Sequence, residues 1–241
     1  MTDLIIRKSH PIVEAGYKLS IAEQRIILLS LAKLDNRNTE QSKVTLYAMD
    51  YARTFGLSEK IAYTELSKAS KRLYDRSIIL KGEDETTEFR WIESRTKYHK
   101  GEGRISFEFS RRVLPYLFEL DKKLGYTQYE LLSVSGFTSN YSIRIYELSV
   151  KLLGMRNKTV SVEELRRILQ LETKYKEFRE LNKFVIKVAV NEINEKSDLL
   201  LSIEPLKQGR KVVALEFKLA KKTKTLTSKK TDSSRIIYGV F

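Results

Sequence analysis

The sequence contains no cysteine, two histidines and three prolines in 241 residues. Without cysteine there is no disulfide framework and no thiolate chemistry, which suits a reducing compartment. His10 and His99 stand too far apart for a His-x-His metal motif. A nicking enzyme that sets a tyrosine beside histidine-held metal is therefore excluded, although thirteen tyrosines are present. Tyr63, Tyr146 and Tyr175 read as ordinary core or domain-interface packing. None of the ten glycines belongs to a GxxxxGKS/T phosphate loop, so nucleotide hydrolysis has no support. No apolar run approaches the ~20 residues of a membrane span. The amino terminus, MTDLIIRKSH, lacks the apolar core of a signal peptide. A soluble cytoplasmic protein that avoids the membrane is expected. The acidic run Glu83, Asp84 and Glu85 reads as a solvated hairpin tip rather than a metal site. No catalytic residue, metal or cofactor is expected, and the chain reads as non-enzymatic.

Acid is also scarce overall. Lys+Arg number 45 against 31 Asp+Glu, a net charge of +14 that favours a polyanionic partner. The second half carries the larger excess, much of it in a tail from Leu219 to Arg235 that holds Asp232 as its only acid. That tail, KKTKTLTSKKTDSSR, has too little apolar surface to offset its ordering entropy and is expected to be disordered.

Residues 175–196 (YKEFRELNKFVIKVAVNEINEK) carry the densest signal. On a helical wheel Lys176, Arg179, Lys183 and Lys187 fall within roughly 80° of arc, opposite Phe178, Leu181, Val185, Val188 and Ala189. An amphipathic helix with a cationic face is most often only a solvated helix. Here its neighbours change that reading. Ser161 and Glu164 form an S-x-x-E capping box before a short preceding helix, LRRILQL. A hairpin follows, LLLSIEP then KVVALEFKL, with KQGR at its tip and Gly209 in the turn. Helix, turn, basic helix and basic hairpin make a winged helix-turn-helix. Arg179, Asn182 and Lys183 are the expected base contacts. Lys176 and Lys187 are expected on phosphates, as are Lys207, Arg210 and Lys211 on the hairpin, and Lys174 is a further candidate DNA contact.

The first half repeats this layout. Ser20 and Glu23 form a capping box opening IAEQRIILLSLAKL, a helix apolar over more of its circumference than a one-sided helix needs. That surplus fits burial within its own module, a domain interface or a partner chain. Residues 43–46 predict a strand, YAMDYARTF a helix ending at Gly56, and Ser58 the cap of a third helix over residues 59–75. On that helix Ala62, Leu66, Ala69 and Leu73 face the core, and Lys60, Lys68 and Lys71 are candidate DNA contacts. SIILK, TTEFRWIESRTKYH and RISFEFS predict three strands. RIILLS at residues 25–30 matches RIYELS at residues 144–149 in four of six positions. The expected fold class is α+β, mainly helical, with two tandem winged-helix domains. The first covers residues 1–124 with a helical connector over 111–124, the second 125–219, and a basic tail 220–241.

With both modules laid out, the chain resembles the iteron-binding replication initiators of theta-replicating plasmids, from about Lys8 to Leu219. The matching segments are IVEAGYKLSIAEQRIILLSLAKLD, FGLSEKIAYTELSKASKRLYDRSI, ISFEFSRRVLPYLFEL, TSNYSIRIYELSVKL, VSVEELRRILQL and FVIKVAVNEINEKSDLLLSIEPLKQGRKVVALEFKL. The resemblance implies a carboxy-terminal module that makes the main base contacts in each repeat. It implies an amino-terminal module that adds DNA contacts and carries a dimer interface. Monomers would bind tandem origin repeats, help open the origin, and bring in the host initiator and replicative helicase. Dimers would repress the chain's own promoter. The departure is a lysine-rich reading helix with Arg179 its only arginine, where several are expected. A winged-helix transcriptional repressor with no replication role is the alternative reading.

Overall fold

The computed structural model describes residues 4–34, 41–97, 103–117 and 125–222. His99, the second half of the connector (118–124) and the tail beyond Lys222 lie outside the described residues. The chain opens with β1 (Ile5–Ser9) and one helical turn, α1 (His10–Glu14). Then come α2 (Ile21–Lys33), β2 (Lys43–Tyr47), α3 (Ala48–Phe55) and α4 (Glu59–Leu73). β3 (Ser77–Lys81), β4 (Thr86–Arg90), β5 (Ile92–Lys97), β6 (Arg104–Phe109) and α5 (Leu114–Leu117) complete the first half. The second half runs β7 (Tyr126–Glu130), α6 (Leu132–Ser135), α7 (Asn140–Leu153), β8 (Thr159–Ser161) and α8 (Val162–Leu169). Its third helix has three parts: α9 (Phe178–Leu181), a π-helical turn (Asn182–Ile186) and α10 (Lys187–Lys196). The hairpin β9 (Leu199–Gln208) and β10 (Lys211–Lys221) closes it.

Local chemistry sets the element ends. At Ser20 the capping box is complete: the hydroxyl accepts from Glu23 N–H, and the Glu23 carboxylate accepts from Ser20 N–H at 2.6 Å. Gly56 takes the left-handed conformation (φ 65°) that ends α3, and Ser58 accepts from Ile61 N–H to start α4. At Ser161 only half of the expected box forms. Its hydroxyl accepts from Glu164 N–H, but the Glu164 carboxylate turns to Arg167, at 2.5 and 2.8 Å. The guanidinium fork outcompetes one backbone N–H for the carboxylate.

The strands form a β2–β6–β5 sheet, a β3–β4 hairpin, a β8–β10–β9 sheet and a β1–β7 pair, all antiparallel. The single strand expected over TTEFRWIESRTKYH breaks at Trp91. β4 pairs with β3, and β5 with β6. Trp91 is fully buried and meets the Tyr17 ring edge-on at 5.1 Å, so core packing pulls the chain out of the ladder there.

The sequence repeat is real in three dimensions. Ser30 donates to Ile26 O and Ser149 to Ile145 O, both at 2.7 Å, at matching places in α2 and α7. The matching arginines each reach across to the other half. Arg25 donates to Phe137 O, and Arg144 to Val13 O and Ala15 O. The strands leading into the two modules, β1 and β7, pair with each other about Arg7 and Gln128. Two equivalent segments paired antiparallel are what a local two-fold axis produces. α2 is buried continuously from Ala22 to Leu31, so its apolar surplus is covered within the chain. One hydrophobic core runs through both halves.

Candidate nucleic-acid interface

The second module builds its concave face from α8, the turn after it, the three-part helix and the β9–β10 hairpin. Arg166 on α8 organises the turn. Its guanidinium donates to four carbonyls, Leu171 O (3.4 Å), Lys174 O (3.1 Å), Tyr175 O (2.6 Å) and Lys176 O (2.9 Å). Tyr175 is left-handed (φ 51°), an unfavourable conformation for an aromatic residue. Its ring stacks on Phe184 at 5.7 Å. Sequence reading missed Arg166; the carbonyls of the turn between two helices, three of them consecutive at Lys174, Tyr175 and Lys176, were the signal for a donor fork.

The helix departs from the expected wheel. It starts at Phe178, so Lys176 sits in the turn before it. The π turn then inserts an extra residue, which moves the apolar face by one position. Leu181, Val185, Ile186, Ala189 and Ile193 are buried. Val188, expected in the core, is 38% exposed, and Phe178 is only half-buried.

Lys176, Arg179, Asn182, Lys183 and Lys187 line an open concavity of about 850 Å³, with Lys207, Arg210 and Lys211 on its far wall. The hairpin turns at Gly209 (φ 61°) and Arg210, putting these three cations at the tip. Arg166 also lines the concavity. Among the described residues, none of the seven expected cations around this concavity is held in an ion pair, unlike Lys196 and Lys218. Lys183 rests over the Phe184 ring at 5.0 Å. Seven unpaired cations around one groove create a strongly positive potential, suited to phosphate. Lys174 stays exposed in the turn, off this lining.

Glu192 fixes the rear of this helix. It accepts from Thr138 N–H (2.8 Å), Thr138 Oγ1 (2.7 Å) and Ser139 N–H (3.2 Å) at the start of α7. Burial acts to raise its pKa. The hydrogen bonds from Thr138 and Ser139 outweigh that and bring it from 4.5 to about 2.

In the first module α4 is the equivalent helix. Lys60, Lys68 and Lys71 are exposed along it without ion pairs among the described residues. The module's own hairpin, β3–β4, ends in exposed Glu83, Asp84 and Glu85 and offers phosphate no grip. Of the tyrosines expected to pack inside, Tyr146 is fully buried, Tyr175 half-buried, and Tyr63 41% exposed beside α3. Tyr63 lies at the flank of the α4 core stripe, only partly covered by α3. Among the described residues, no helix is long and apolar enough to cross a membrane.

Family models match nearly all of the described chain: the "Initiator Replication protein, WH1" model over residues 5–150 and the "Initiator Rep protein, WH2" model over 161–219. The chain belongs to the initiator replication protein family, and its fold is two winged-helix domains. It is similar to an Escherichia coli "Replication initiation protein", 30% identical over 234 residues that cover 91% of this chain and 70% of the relative. It is also similar to the Escherichia coli "PI protein", 26% identical, covering 83% of this chain and 77% of the relative. Among solved structures it matches a Pi initiator protein crystallised in complex with iteron DNA, with a TM-score of 0.76 at 24% identity. That match covers 90% of this chain and 97% of the other.

Proposed function

We propose that this chain is a sequence-specific duplex-DNA-binding initiator of plasmid replication that recognises tandem origin repeats. The observation that carries the reading is the groove of seven unpaired cations between a recognition helix and a wing. It sits on a fold shared with a protein crystallised on iteron DNA. Arg179, Asn182 and Lys183 read base edges, because the first turns of a recognition helix enter the groove deepest. Lys174, Lys176, Lys187, Lys207, Arg210 and Lys211 neutralise phosphates, and Lys60, Lys68 and Lys71 add contacts from the first module. Residues 1–124 form the auxiliary module, 125–219 the main reader and 220–241 a basic tail that adds non-specific affinity. The chain acts without catalysis in the cytoplasm, helps to open the origin and recruits the host initiator and replicative helicase. As a dimer it represses its own promoter. α2, buried from Ala22 to Leu31, leaves that dimer contact to other surfaces.

The test is a titration of alanine variants against the native repeat and a panel of single-base changes at two salt concentrations. Arg179→Ala and Lys183→Ala should each cost about 1–3 kcal/mol and relax discrimination at one or two base pairs. Lys211→Ala should weaken specific and non-specific binding about equally. If Arg179→Ala and Lys183→Ala both keep full affinity and discrimination, this helix is not the reader.

A further inference from the structure

The outward face of α4 differs in chemistry from the reading face of the second module. At the centre of its first two turns stand Ile61 and Thr64, three residues apart on one stripe. Ile61 is 51% exposed and presents its aliphatic side chain on this outward face. Thr64 is exposed too, but its hydroxyl donates back to Lys60 O at 2.9 Å. With the hydroxyl so engaged, the methyl is the group Thr64 has free to offer a partner. Around this apolar pair lie Lys60, Lys68 and Lys71, exposed and without ion pairs among the described residues. A protein partner would favour apolar surface with mixed charge. Apolar groups ringed by free cations fit a surface that is polyanionic at its edges and carries methyl groups in its middle.

We infer that Ile61 and Thr64 read thymine C5-methyl groups in the major groove, while Lys60, Lys68 and Lys71 hold the flanking phosphates. Thymine is the one base that presents a methyl there, so the contact discriminates T·A pairs without a hydrogen-bonding fork. The acidic tip of β3–β4 gives this module no wing contact, so its sequence preference rests on α4. The two modules thus use different codes: polar donors on the helix from Phe178, methyl packing on α4. This inference rests on the DNA-binding function proposed above.

The full-length chain is first used to select a high-affinity duplex from a random library. Failure to select any duplex would overturn the DNA-binding reading itself, and this inference with it. Each thymine of the selected duplex is then replaced singly by uracil, which removes only the methyl. The wild-type chain should lose about fourfold in affinity at one or more thymines, the worth of one buried methyl. Ile61→Ala or Thr64→Ser should abolish the uracil penalty at those same thymines. Arg179→Ala should leave it in place. Both substitutions are on an exposed helix face, and circular dichroism would verify their fold. If uracil costs nothing at any position, or the penalties persist in both α4 variants, α4 does not read methyl groups.

Discussion

Arg166 fixes where the helix from Phe178 begins, by gathering the carbonyls of the turn before it. Four carbonyls converge on one guanidinium, and no other side chain has enough donors in a fixed plane to replace it. Arg166→Ala should therefore cost on the order of 2 kcal/mol of stability and weaken binding to every DNA sequence. Arg166→Lys should recover little, since one ammonium has three donors to offer and no planar fork. Thermal melts with DNA titrations test this; full recovery by lysine would mean that charge alone matters. Glu192 gives a second prediction at this scale. Its pKa is lowered from 4.5 to about 2 in the folded chain. A depressed carboxylate contributes stability above its unfolded pKa and loses it as pH falls towards the folded value. Glu192→Gln should thus flatten the acid side of the stability profile between pH 4.5 and about 2. Melting temperature against pH reads this directly, and parallel profiles for the two chains would sink it.

At the scale of elements, local signals carried most of the fold. Ser20, Ser58, Ser139 and Ser161 mark helix starts, and each accepts a backbone N–H as such caps do. What the sequence hid was the π turn. A wheel at 100° per residue assumes unbroken α-helix, and one inserted residue shifts the buried stripe after it, so that Ile186 and Val188 are misread while Lys187 and Ala189 stand as expected. An unbroken helix from Leu181 would bury Val188 and expose Ile186; the structure does the reverse. Ile186→Ala should accordingly cost about 2–5 kcal/mol through the cavity it leaves. Val188→Ala should stay within about 0.5 kcal/mol, as a surface change does. Denaturant unfolding of the two variants decides, and equal costs would argue against the π turn. The break at Trp91 was hidden for a different reason. Trp91 and Ile92, adjacent and both buried, interrupt the alternation, but only the competition between two sheets for one segment reveals which ladder each half joins.

Across the whole molecule, the repeat RIILLS/RIYELS could be seen as a likeness but not as an interface. Nothing in a sequence says that Arg25 and Arg144 reach into opposite halves. Where the halves meet, Lys8, Tyr17, Tyr129 and Arg144 surround Glu147, all five buried. Lys8 donates to it at 2.5 Å and Tyr129 at 2.6 Å. Burial opposes the charge on Glu147, but Lys8 and Arg144 keep its pKa below the ordinary value. Removing the carboxylate would leave two buried cations facing each other, so Glu147→Ala should cost about 3–5 kcal/mol. The consequence for DNA follows from geometry. If α4 and the helix from Phe178 enter major grooves on one face, they stand about one helical turn, ~34 Å, apart. One chain then protects roughly 20 bp, about two turns. That footprint requires the halves to be held in one arrangement, which the Glu147 cluster does. At a protein concentration that just saturates the wild type, Glu147→Ala should keep the protection under the helix from Phe178 and lose that under α4. Hydroxyl-radical footprinting on a single repeat measures both halves at once. A wild-type footprint confined to a single half-turn would mean that only one module binds, and a variant footprint of full length would mean that the cluster does not set the spacing.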